Sequence, residues 1–212
     1  MSETGMMRCR NAVWAMASSV AVAMVLATAP ANAQVNAGVE GGLAARNGSP
    51  SLDPGLAWGA HLAVKPLPIL SVGAYYLGYN MALEGAPATA HKVAFNTLGG
   101  KIRLTIPLPV SDLRPYGYVG FGRVGVTYPV EATVLVDQTS TVPTSLTPRD
   151  GHFLEAPVGL GLGYKTARII ELSLDLAIRP SFGFAGDAYE GPSGYDKTTM
   201  GYTGMLGAAI DL

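Results

Sequence analysis

Only 14% of the 212 residues are Asp, Glu, Lys or Arg, few for a soluble surface, and the formal net charge is −1. So balanced a chain produces no long-range field, and it contains no basic run, which excludes nucleic acid as a partner. Cysteine is nearly absent. The single one, Cys9, lies inside an N-terminal export signal, too early for lipid attachment, so the mature protein is expected to carry no disulfide, thiol or lipid anchor. The three histidines, His61, His91 and His152, lack ligand spacing and imply no metal. After the first 33 residues no run approaches the roughly 20 apolar residues of a spanning helix, which excludes a helical membrane protein. The stretch "GYVGFGRVG" resembles a phosphate loop only superficially, because it alternates as a strand with no helix after it. No cofactor is implied.

What is present is apolar and small: 49% apolar residues and 27 glycines. The first 33 residues read as a secretory signal, with Arg8 and Arg10, then "AVWAMASSVAVAMVLATA", then the small-x-small site "ANA". Cleavage after Ala33 would leave a single domain, 34–212, starting at Gln34. That domain divides into eight alternating segments, at about 35–46, 56–65, 69–79, 92–106, 114–128, 152–165, 169–182 and 198–212. In 169–182, Ile170, Leu172, Leu174, Leu176 and Ile178 alternate with Glu171, Ser173, Asp175, Ala177 and Arg179. In 56–65, Leu56, Trp58, Ala60, Leu62 and Val64 alternate with Ala57, Gly59, His61, Ala63 and Lys65. One face is expected to be apolar throughout, the other small or polar.

The links "PLP", "PLPVSD" and "TAR" are short, whereas those after segments one, three, five and seven are long. An up-and-down antiparallel barrel puts alternate links at opposite ends, so one end holds tight turns and the other all the loops. Eight strands enclose a space that side chains just fill or that holds one small ligand. The small and polar series fits such a lumen and makes a poor exterior in water, so the apolar series is expected to face lipid, with Tyr and Trp towards its edges. Closure leaves no unpaired edge, as a bilayer requires.

On these features, and on the aromatic-glycine strand "RPYGYVGFGRVGV", the chain resembles the OmpA/OmpX-type small outer-membrane β-barrel superfamily over its whole mature length. Many members end in Phe; this chain ends in Leu212. The resemblance implies an all-β, eight-stranded antiparallel up-and-down transmembrane β-barrel in the outer membrane of a Gram-negative cell. It implies outer-membrane lipids as surroundings, an extracellular ligand or partner at the long loops, and a monomer. No peptidoglycan-binding segment follows the barrel, so a cell-wall tether is not expected.

By parity, Glu40, His61, Lys101, Arg103, Arg123, Glu155, Glu171, Asp175, Arg179 and Asp211 are expected to face the lumen as a network of both signs. A three-residue turn at 166–168 would set Glu155 opposite Arg179 and Phe153 opposite Ser181; the first hairpin would set Glu40 opposite His61. The network is either a structural plug or a gated path. No serine sits beside His91 or His152 to form a nucleophile pair, so no catalytic residue is assigned. The function expected is structural or surface-interacting, the alternatives being a channel or carrier for small or apolar solutes and, more remotely, a lipid-modifying enzyme.

Overall fold

The computed structural model describes residues 34–47, 52–82, 92–109, 111–127, 150–166, 169–186 and 199–212. The signal segment, His91 and most of the loops lie outside them. The chain forms antiparallel strands β1 (Gln34–Asn47), β2 (Gly55–Leu67), β3 (Leu70–Met81), β4 (Val93–Thr105), β5 (Leu113–Thr127), β6 (Asp150–Glu155), β7 (Val158–Lys165), β8 (Ile170–Gly186) and β9 (Met200–Asp211). Consecutive strands pair, except that β6 and β7 each lie between β5 and β8, and β1 pairs with β9, so the sheet closes on itself.

The sixth segment appears as two strands for a local reason. Pro157 has no N–H to give the ladder, so regular pairing lapses at Ala156–Pro157. Gly120 N still donates to Pro157 O (2.8 Å) and Ala156 N to Pro180 O (3.1 Å). The β5 register is the same on either side, with Gly122 facing Glu155 and Val119 facing Val158. β6 and β7 are two halves of one staple in the wall, and the barrel is eight-stranded around its circumference.

Both ends of the described chain meet at the turn end, where Val35 N donates to Leu212 O (3.0 Å) and Leu212 N to Val35 O (2.7 Å). That end also holds the links between β2 and β3, β4 and β5, and β7 and β8; the other four links share the loop end.

Side chains alternate across the wall as the pleat dictates. Leu56 is 76% exposed, Leu160 72% and Leu206 67%, and exposed Leu, Ile, Val or Phe recur along β1, β2, β4, β5, β7, β8 and β9. A soluble monomer exposes apolar patches of only a few hundred Å², whereas a bilayer demands such a belt.

The inner face departs from the expected pattern. On the loop side of β3 to β6 it is apolar too: Tyr75, Leu77, Tyr79, Met81, Val93, Phe95, Val124, Val126 and Phe153 form a buried cluster inside the barrel. On β8 an irregularity between the pairs of His152 and Leu154 adds a residue, and Gly183 takes a positive φ of 65°. The inward series then switches from Ser181 to Phe184, which meets Phe153 at a ring distance of 5.2 Å. Side chains therefore fill the loop half much as they fill a soluble core.

Candidate functional site: the enclosed lumen

Nine of the ten charged or ionisable residues assigned to the lumen lie on its wall: Glu40 on β1, His61 on β2, Lys101 and Arg103 on β4, Glu155 on β6, Glu171, Asp175 and Arg179 on β8, and Asp211 on β9. Arg123 does not. It faces Leu98 and Leu154 across the ladder, both outward residues, and lies on the outer face of β5. In this strand Tyr116, Tyr118, Val124 and Val126 take the inward positions and Val119, Phe121 and Arg123 the outward ones, so hydrophobicity does not mark the face.

The centre of the network is Glu155, which is fully buried. Arg179 Nη1 donates to Glu155 Oε1, Tyr75 OH donates to the same oxygen (3.3 Å), and Arg46 Nη2 lies 3.7 Å from Oε2. The register is not the one expected. Glu155 faces Ser181, and the last pair before the turn is Lys165 with Glu171, closed by Thr166 N donating to Ile170 O (3.1 Å). The turn is longer than three residues, so Arg179 reaches Glu155 along the diagonal of the ladder, within range of a long side chain.

Arg46 was missed because it ends its segment, although it continues the even-numbered inward series of Glu40 and Ala44. Its Nη1 donates to Ser181 Oγ (2.8 Å) and Thr199 Oγ1 (2.7 Å), and its Nη2 to Tyr79 OH (3.0 Å). The guanidinium lies 4.4 Å from the Phe153 ring centroid and 5.4 Å from that of Phe95. It therefore joins the charged network to the apolar cluster.

Towards the turn end the charges are again paired. Arg103 Nη2 donates to Glu171 Oε1 (2.5 Å) with its guanidinium 3.5 Å from the Tyr116 ring centroid. Lys65 Nζ donates to Asp211 Oδ1 (2.5 Å), and Lys165 lies 3.5 Å from Oδ2. Asn36 Nδ2 donates to Asp211 Oδ1 (2.8 Å), which leaves Asn36 Oδ1 to accept from His61 Nε2 (3.0 Å). His61 faces Gly38 rather than Glu40, which faces Gly59. A Cβ at Gly38 would lie 2.6 Å from the His61 ring, so the imidazole needs glycine there.

The glycines of "VGLGLGYK" work the same way. A Cβ at Gly159 would lie 2.4 Å from the Tyr118 ring, and one at Gly161 2.3 Å from the Tyr116 ring. Two tyrosines thus lie flat across the lumen on a glycine floor. Between the layers, Glu40, Lys101, Tyr118 and Arg179 line a cavity of about 10 Å³, room for about one water molecule. Lys101 lies within Coulombic reach of Glu40 and Asp175 and 5.5 Å from the Tyr118 ring centroid.

His152 faces Gly125 on the outer wall. Ser140 and Ser193, the loop serines that could approach a histidine, lie outside the described residues.

No protein-family model and no curated protein sequence matches the chain. Solved structures do. Neisserial surface protein A is similar at a TM-score of 0.59 and 12% identity, over 85% of this chain and 97% of its own. The N-terminal β-barrel domain of OprF from Pseudomonas aeruginosa is similar at 0.52 and 14%, over 84% and 97%. Ail, the attachment invasion locus protein of Yersinia pestis, is similar at 0.52 and 10%, over 84% and 98%. The chain has the OmpA/OmpX-type fold of small outer-membrane β-barrels.

Proposed function

We propose that this chain is a sealed outer-membrane barrel that serves as a structural and surface-interaction scaffold, exported with cleavage after Ala33. The observation that carries the reading is the filling of the lumen by the described residues: ion pairs and tyrosines in the turn half, an apolar cluster in the loop half, and between them a cavity with space for about one water. A conducting path would need a continuous string of hydrated positions, and eight strands enclose an interior only wide enough for side chains or one small ligand, not an aqueous channel of porin size. In this reading Glu40, His61, Lys101, Arg103, Glu155, Glu171, Asp175, Arg179 and Asp211 are parts of a plug. Function then falls to the long loops, which meet an extracellular ligand or partner while the barrel stands as a monomer among outer-membrane lipids. The names of two similar structures, a surface protein and an attachment protein, support that placement.

The reading is also non-enzymatic. His152 sits on the outer wall, apart from the luminal acids, and the luminal acids Glu155, Glu171 and Asp211 are held by cations.

Planar-bilayer recording of the purified protein tests the proposal. The expected outcome is no steady conductance above the bare membrane, whereas large uniform steps from a monomer would make the barrel a channel and overturn it.

A further inference from the structure

Two links at the turn end depart from ordinary hairpin chemistry. Tight turns between strands draw mainly on Gly, Asn and Asp, whereas these read "PLPI" (66–69) and "IPLPVSD" (106–112), with Asp112 as their one charge. Leu67, Ile69, Ile106 and Leu108 are all exposed. The links are neighbours because β3 pairs with β4, and Thr105 N, donating to Ile69 O (2.8 Å), ties one to the other. They form one apolar rim.

The backbone of this rim is poor in free donors. Pro66, Pro68, Pro107 and Pro109 bring no N–H. Ile106 N donates to Pro115 O (2.8 Å), Ser111 N to Leu108 O (3.4 Å) and Leu113 N to Ser111 Oγ (3.1 Å). Water would satisfy an open donor, so a turn that stands in water gains nothing by shedding one, whereas in lipid each unpaired donor is a penalty. The neighbouring cations turn away as well. Lys65 donates inward to Asp211 (2.5 Å) and Arg103 to Glu171 (2.5 Å). Asp112 is exposed at the far end of the second link, where its carbonyl accepts from Lys165 N (3.1 Å).

The rim also continues the wall. Ile102 and Leu104 stand exposed on the outer face of β4, and Ile106 and Leu108 carry that line past the end of the strand. We propose that the two Pro-Leu-Pro turns form an apolar foot seated in the headgroup–acyl boundary of the leaflet at the turn end. Proline makes the foot stiff and donor-poor, and Leu and Ile supply the surface that leaves water. The inference rests on the membrane placement proposed above.

The test is the depth of nitroxide labels in dioleoylphosphatidylcholine vesicles. Cys9, the only cysteine, is replaced by Ser so that each label has one site. Leu67→Cys, Leu108→Cys and, on the outer face of β8, Leu174→Cys are labelled singly. Power-saturation spectra then compare collisions with oxygen, which enters lipid, and with a water-soluble nickel chelate, calibrated with lipids labelled at known carbons. Leu67 and Leu108 are expected about 5–10 Å inside the headgroup boundary, the depth of an interfacial apolar face, with Leu174 deeper. Labels at Leu67 and Leu108 as open to the chelate as a headgroup label would overturn the foot and leave the rim to water or a soluble partner. One label in lipid and the other in water would overturn the joint seat. The Leu174 label separates the two failures. If it too is aqueous, the membrane placement and the foot fall together; if it lies in lipid while the other two are aqueous, the foot alone falls.

Discussion

Glu155 answers to two guanidinium groups, and that asymmetry sets what each substitution should cost. Removing the acid leaves Arg46 and Arg179 buried with no counter-charge between them, whereas removing Arg179 leaves Arg46 beside the carboxylate. Breaking a buried pair from one side costs about 3–5 kcal/mol. Glu155→Gln is therefore expected at the top of that range and Arg179→Gln below it, in urea unfolding of liposome-embedded protein. The double variant should lose less than the two singles together, because it removes both charges of one bond; additive losses would contradict the contact. The pairing of these two residues was legible from their shared odd-numbered series, but the register was not. The turn between β7 and β8 is longer than its composition suggested, and Arg179 has the reach to absorb the difference.

At the scale of the strand, two devices shape the lumen. One is readable: glycines at 159, 161 and 163 recur with the period of the pleat, and the rings of Tyr118 and Tyr116 lie on the first two. The other is the bulge on β8, where Gly183 at φ 65° lets Phe184 turn inward to Phe153. A left-handed conformation costs a residue with a β-carbon about 1–2 kcal/mol. Gly183→Val should thus destabilise the barrel by at least that amount and move Phe184 off Phe153. The measurement is unfolding free energy together with the ring-current shifts of Phe153 in an NMR spectrum. An unchanged spectrum would mean that the bulge does not hold Phe184 in place. Nothing in "RPSFGFAG" announced the bulge, because Gly183 could equally have continued an extended strand.

For the whole barrel, the proposed bilayer placement makes the cost of a charge on the outer face depend on its depth. Leu174 lies mid-strand on the outer face, opposite Leu162 and Leu206, while Ile69 sits in the turn between β2 and β3. An Arg at the midplane of a barrel's lipid face costs about 2–4 kcal/mol, falling to about 0–1 near the interface. Leu174→Arg is therefore expected to be far more destabilising in bilayers than Ile69→Arg. Equal urea midpoints for the two would place the belt elsewhere. Closure through β1 and β9 makes the wall one cooperative unit, since removing any strand leaves both of its neighbours with an unpaired edge.

Alternation determined the strands and the outward face of β8 and β9, and link length the up-and-down order and the end that carries the loops. A period of two has only two faces, and lipid accepts just one of them. Its authority ended where both faces were apolar. In β5 the inward Val124 and Val126 and the outward Val119 and Phe121 look alike, and a slip of one residue exchanges the faces, so the parity that put Arg123 in the lumen does not hold and it lies on the outer face. Only the closed wall decides that case, because each strand's parity is locked to both neighbours by hydrogen bonding. The tertiary structure likewise decided that Glu40 faces Gly59 and His61 faces Gly38, and that Arg46 joins Glu155. Those contacts depend on register, which link lengths and ladder bonds set together and which no single strand contains.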